Sequence, residues 1–483
     1  MGKILSFFNL ERTVALAVLA IASWQLLTPP ALGVADNGDF ARLMVFFDLT
    51  HAPKEWGDRY FSYFNRHYAT DRVEARKYAS PDFISSELVF VAAALGISRL
   101  AHQASFDLLL LGTLHVALFV GFIYMVLTAS RTFWGPIRTI SIILGTLVFT
   151  DIAYIAYFNS FYCESATFLF FLLVVGCVYG AIGSARHSTA WIAAYFLAVT
   201  GFLLAKYQNL ILLPVFLTFG WLLLMRRADV KRFHVYLVFA LLTCYASYRF
   251  CISAPSLVDD AVLFNSVFDG ILADSPTPRE DLAALGLDPE LARYARSTAF
   301  QSNSPRFDGE FMRTFREKVN IGEVCLFYVH RPMRLMRALN RTVRLTVQPR
   351  PVMGNYEKIS GFPPGARSRD WAMWSSVRAA VLPKSLVFVV AAFIVYLGLL
   401  TRGWLREKDP GALLNLEWSA MIVPMALLQL GLITVSDGIT DAIKHAFLFN
   451  LLLDYALVAI VTALLTAVTS ASSQLSVKDG SHA

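Results

Sequence analysis

The chain has 483 residues, 56% of them hydrophobic and 16% charged, with a net charge of +7. Soluble domains carry about 25% charged residues, so a soluble globular protein is excluded, and the basic residues lie between apolar runs, which argues against nucleic acid as a partner. Five cysteines (Cys163, Cys177, Cys244, Cys251 and Cys325) form no CxxC pair and three lie inside apolar runs, so they read as packing residues.

The first apolar run, 13–32, is too long for a typical signal h-region and lacks a clear cleavage site, so it reads as a retained span. Further runs able to cross a bilayer core of about 30 Å cover 106–128, 138–157, 163–182, 190–205, 210–225, 234–252, 384–401, 413–434 and 446–468. The run 84–98, "ISSELVFVAAALGIS", is shorter and reads as interfacial or re-entrant, with an eleventh span as the alternative. The expectation is an all-α polytopic membrane protein of about ten transmembrane helices.

Placing the N-terminus inside puts Arg131, Arg138, Arg186, Arg226, Arg227, Lys231, Arg232, Arg402, Arg406 and Lys408 in inner loops, while the short outer loops hold Lys206 and Lys444. That bias fixes the orientation and favours ten spans. Two long segments, 33–105 and 253–383, then lie outside. The second contains "VCLFYVHRPMRLMRALNRTVRL", apolar and basic residues interleaved at helical spacing, which suits a headgroup layer. No repeat period or inverted copy is visible, which weakens a transporter reading.

With that orientation, polar short segments converge on the outer face. "DNGDFAR" brings Asp36, Asp39 and Arg42; "YFNSFYCES" brings Asn159 and Glu164; "AKYQN" brings Lys206 and Gln208; "SDGITDAIKH" brings Asp437, Asp441, Lys444 and His445. Each has a plainer reading as a helix cap, a favourable charge at a helix N-terminus or a snorkelling lysine. Asp151 and Asp454 lie within apolar runs, where a charge is costly and faces protein or a polar cavity; a packing role stands beside a functional one. The GCVYG run at 176–180 fits small-residue packing, and Asn340-Arg-Thr fits a glycosylation acceptor.

Sugar transfer from a polyprenyl phosphate to a hydroxyl needs such a set. The isoprenoid tail holds the phosphate at the headgroup layer. The acceptor hydroxyl needs a carboxylate as general base, the leaving phosphate needs fixed cations, and a large outer loop excludes water.

The stretches "NGDF", "FNSFYCES" and "DG..D..KH.FLFNLLLD" (437–454), with "LGLDPELARYARSTAFQSNSP" (285–305), resemble bacterial membrane hexosyltransferases of glycan biosynthesis. These belong to the GT-C superfamily of polyprenyl-phosphate-sugar-dependent glycosyltransferases. The resemblance covers roughly 35–455 and departs from the family pattern at Cys163, where serine is expected, and at Tyr207, where proline is expected. It implies a GT-C-like fold and a site on the non-cytoplasmic face of a bacterial inner membrane. Asp39 would be the base with Asp36 as its substitute. Lys444, His445 and Arg42 would hold the donor phosphate. Glu164, Asn159, Gln208, Lys206, Asp437 and Asp441 would position sugar or acceptor or support the base. The expected partners are a polyprenyl-phosphate sugar donor, a glycan or glycolipid acceptor and membrane lipid. No cofactor is required; a divalent cation stays open. A transporter or flippase using Asp151 and Asp454, and a scaffold of an envelope assembly, are the rival classes.

Overall fold

The computed structural model describes residues 9–131, 138–183, 188–226, 230–436 and 438–479. Among them eight helices are long and apolar enough to cross a membrane: α1 (Leu10–Leu27), α2 (Leu108–Ala129), α3 (Glu164–Gly183), α4 (Tyr207–Met225), α5 (Lys231–Ile252), α6 (Leu386–Trp404), α7 (Pro410–Ser436) and α8 (Phe447–Val468). The count differs from ten because two expected spans are imperfect. Ser188–Leu203 has 16 residues, about 24 Å at the helical rise. The run from 138 is bent by 54° between Arg138–Phe149 and Ile152–Phe158. The run at 84–98 forms Glu87–Leu100, a helix of 14 residues.

The bend has a specific cause. Asp151 caps the second segment by accepting from Ala153 N at 2.9 Å. Its other oxygen accepts from Ser375 N at 2.9 Å, and Trp371 Nε1 donates to Thr150 Oγ1 at 2.9 Å. A polypeptide segment distant in sequence thus satisfies the groups that the break frees, as a break within a membrane requires. Asp454 is likewise a structural anchor. Its carboxylate pairs with Arg378 Nη1 at 2.7 Å, both side chains being fully enclosed, and accepts from Trp374 Nε1 at 2.7 Å and Tyr154 OH at 2.5 Å. Helix Met373–Val381, which carries Trp374 and Arg378, is therefore fastened to α8.

α3 is the most enclosed of these spans. A Cβ at Gly176 would fall 2.0 Å from Met125 Cε, and one at Gly180 would fall 2.7 Å from the Trp191 ring, so the GCVYG run serves close packing. At the side with short, basic connections, Glu11 pairs with Arg131 at 2.8 Å and Arg138 at 2.5 Å.

The two long segments lie together at the other side. Gly33 N donates to Asn355 O, Ala35 N to Gly354 O and Phe64 N to Tyr356 O, at 3.1, 2.9 and 3.0 Å. The first segment also forms a small antiparallel sheet that the all-α expectation lacks: β1 (Leu49–His51), β2 (His67–Thr70) and β3 (Phe106–Asp107), in the order β1-β2-β3. Leu49 faces Thr70 and His67 faces Asp107. The second segment has its own core, in which Phe264, Phe268, Met312, Phe315, Leu282 and Phe327 are buried together.

Candidate active site

The loop after α1 is shaped by Asp36. Its Oδ1 accepts from Gly38 N at 2.7 Å and Phe40 N at 3.1 Å, and its Oδ2 meets His51 Nε2 at 3.1 Å. Gly38 has φ +107°, a conformation that side-chain-bearing residues rarely adopt. Phe40 is buried, with ring centroids 4.7 Å from Tyr162 and 5.5 Å from Phe161. Asp36 is therefore turned inward as the frame of the turn, while Asp39 keeps 23% of its side chain exposed.

Both oxygens of Asp39 are held by cations. Arg42 Nη2 lies 3.0 Å from Oδ1, and Lys444 Nζ donates to Oδ2. Lys444 is buried, reaches Asp441 Oδ2 at 3.4 Å and lies 5.3 Å from the centre of the Tyr162 ring. Burial alone would raise the Asp39 carboxyl, but Arg42 and Lys444 outweigh it and hold it well below the usual carboxylate range. Burial likewise opposes the Lys444 charge, yet Asp39, Asp441 and Glu164 together push its ammonium above the ordinary lysine value.

Next to this group Lys206 Nζ donates to Glu164 Oε1 at 2.8 Å and meets His445 Nδ1 at 3.3 Å. His445 is pushed well below its ordinary value, first by burial and then by the Lys206 and Lys444 charges. Its ring is neutral at physiological pH and offers hydrogen bonds rather than the positive charge expected of it. Gln208 Nε2 donates to His445 O at 2.9 Å and to Gln429 Oε1 at 2.5 Å, which makes it a support of the turn.

The structure thus brings together Asp39, Arg42, Asp441, Lys444, His445, Lys206 and Glu164. It leaves two expected residues outside. Asp36 is enclosed as described. Asn159 is fully buried and donates from Nδ2 to Leu26 O and Leu32 O, both at 2.7 Å, stapling the end of α1. The space for it comes from Gly112, where a Cβ would lie 1.7 Å from Asn159 Oδ1. Asp437 lies outside the described residues.

Three further contributors are not among the expected site residues: Asn37 and Tyr162 lie inside the NGDF and FNSFYCES stretches, and Asp269 lies in no motif. Asn37 Nδ2 donates to Asp441 Oδ2 at 2.6 Å, and Tyr162 OH donates to Ala35 O at 2.9 Å, so both hold the first loop against the last. Asp269, from the second long segment, accepts from Ile439 N at 3.0 Å, Thr440 N at 2.9 Å and Thr440 Oγ1 at 2.7 Å. Gly438, with φ +64°, permits that approach, because a Cβ there would fall 2.6 Å from the Asp269 backbone. Among the described residues no three His, Cys, Asp or Glu side chains gather as metal ligands.

Apolar spans, with a cluster of paired charges at their ends on the side where the two long segments lie, define a polytopic helical membrane protein. The chain belongs to the family described as the YfdI N-terminal transmembrane domain, whose model matches residues 4–481. Comparison with curated proteins and with solved structures returned no match.

Proposed function

We propose that this protein is an inverting glycosyltransferase of the GT-C kind, moving a hexose from a polyprenyl-phosphate donor to a lipid-linked or cell-envelope glycan on the outer face of a bacterial inner membrane. The observation that carries the reading is Asp39 held between Arg42 and Lys444, a carboxylate and two cations brought to one point from two segments 405 residues apart.

In this reading the donor phosphate takes the place of Asp39 as partner of Lys444 and Arg42. Losing those cations makes Asp39 a stronger base when the acceptor is in place. The acceptor oxygen attacks the anomeric carbon while the bond from that carbon to the phosphate oxygen breaks. The electron pair leaves with the phosphate, which Lys444 and Arg42 stabilise, and the hydroxyl proton passes to Asp39. Lys206, Glu164 and His445 offer hydrogen bonds to sugar hydroxyls. Next to Lys444, Phe447 packs 5.1 Å from Tyr157 and 6.1 Å from Phe168. Phe168 also lines an apolar cavity of about 390 Å³ among the spans, a space of the kind an isoprenoid tail fills. The transporter reading loses support because Asp151 and Asp454 are engaged in anchoring helix Met373–Val381.

The test is transfer by purified protein from a panel of polyprenyl-phosphate sugars to membrane acceptor lipids, with Asp39→Asn beside the wild type. Wild-type transfer that is lost in Asp39→Asn is expected. Transfer unchanged in the variant removes Asp39 as base. No transfer with any donor, together with counterflow in proteoliposomes, replaces the reading by transport.

A further inference from the structure

Helix Pro332–Thr346 presents two faces with different tasks. Ala338, Thr342, Val343 and Thr346 are buried. Met333, Met336, Arg337 and Arg344 are exposed, Met333 at 66%. Their spacing places them on one side of a helix of 3.6 residues per turn, with Asn340 between them. Asn340 Oδ1 accepts from Leu386 N at 3.0 Å, and Leu386 is the first residue of α6. Thr434 Oγ1, two residues from the end of α7, donates to Thr342 Oγ1 at 3.0 Å. The helix therefore lies at the depth where two spans leave the bilayer, with its exposed face on the side of the α6 start. The preceding helix, Ile321–Val329, extends the surface with Leu326 and Val329, exposed at 54% and 68%.

We propose that this surface docks on the bilayer itself, with Leu326, Val329, Met333 and Met336 among the outer acyl chains and Arg337 and Arg344 on anionic phospholipid headgroups. Neither arginine makes an ion pair among the described residues. Exposed apolar side chains bordered by arginine are the composition that seats a helix in the headgroup layer. The other arginines turn inward. Arg334 Nη2 donates to Ile271 O at 3.2 Å and to Asp281 Oδ2 at 2.6 Å, and Arg341 Nη2 donates to Gly270 O at 3.0 Å. Gly270 and Ile271 adjoin Asp269, which holds the Ile439–Thr440 turn ahead of Asp441 and Lys444. Membrane docking thereby reaches the polar cluster through one short segment. This coupling concerns the cluster whatever reaction occurs there.

The test uses the full chain in nanodiscs with the exposed Cys251 and Cys325 replaced by serine and a spin label attached at Met336→Cys. A label at Glu317→Cys, whose side chain is 62% exposed on helix Gly309–Lys318, is the water-facing reference. Collision with oxygen, relative to a water-soluble nickel chelate, is expected to be higher at 336 than at 317. Arg337→Glu with Arg344→Glu should lower it in anionic nanodiscs, each lost arginine weakening the headgroup attraction roughly fivefold. Conservative Arg337→Lys with Arg344→Lys should keep it. A label at 336 as chelate-accessible as that at 317 in anionic nanodiscs overturns the proposal. Oxygen-dominated collision that charge reversal leaves unchanged overturns the arginine–headgroup part. Because the readout is depth, glycosyl transfer can fail while docking stands.

Discussion

Removing the Arg42 charge tests whether Asp39, the base in the proposed reaction, is ionised by its neighbours. The guanidinium stands 3.0 Å from Asp39 Oδ1, with 32% and 23% of the two side chains exposed. At that separation two unit charges interact by about 5.5 kcal/mol at an effective dielectric of 20 and about 1.4 kcal/mol in bulk water. Partial exposure brings the pair toward the lower figure, which equals about one pKa unit. The cation favours ionised Asp39, so its removal raises the carboxyl pKa. The base is then lost at higher pH, and the acid limb of the rate profile moves up. In Arg42→Met the acid limb of kcat/KM, which reports the free enzyme, should rise by about one pH unit, while Arg42→Lys should keep it near the wild-type position. Lys444→Met should move it further the same way, because Lys444 is only 3% exposed. The assay is initial transfer rate across pH at limiting donor, with folding checked at each pH. A limb that stays in place in both Met variants, or moves down, refutes the account of Asp39.

Gly438→Ala should destabilise the fold by about 1–3 kcal/mol, since its Cβ would meet the Asp269 backbone at 2.6 Å; melting in detergent checks this against Gly431→Ala, which has open space around its Cβ. Asp454→Asn should cost about 3–5 kcal/mol by leaving the enclosed Arg378 charge without its partner, and Arg378→Met with Asp454→Leu should recover most of that loss in the same melt. Lys206→Met removes a positive neighbour of His445, so the imidazole pKa should move up toward about 6.5; the pH dependence of His445 modification by an acylating reagent reads the shift, and an unmoved profile counts against the contact.

The spans could be read from composition because hydropathy in a bilayer depends on the residues themselves, whoever their partners are. Polar residues do not share that property. Asp36 and Asp39 are three residues apart in one loop, and the same letters fit a base or a cap. Gly38 at φ +107° reverses the chain between them, turning one toward His51 and the other toward Lys444. Asn159 and Glu164 divide in the same way, one stapling α1 and the other meeting Lys206. Asp269 could not be found at all, since it stands 170 residues from the turn it holds and belongs to no pattern. The short sheet was hidden for a related reason: strands of two to four residues give too little alternation to be seen.

An acid inside an apolar run signals either a pathway or a joint, and its partners decide between them. Asp151 is held by Ala153 N and Ser375 N, and Asp454 by Arg378, Trp374 and Tyr154. Each carboxylate oxygen named is committed to groups that fix one segment against another, so moving an ion past them would unfasten helix Met373–Val381. The pairs at the span ends differ. Asp39, Lys444, Arg42 and Asp441 are partnered chiefly with one another, and an incoming anion can take the place of Asp39 on Lys444 and Arg42 while Asn37 and Tyr162 still hold the first loop. Exchangeable charge therefore sits at the level of the span ends, where a substrate with a lipid tail and a phosphate head would present that head.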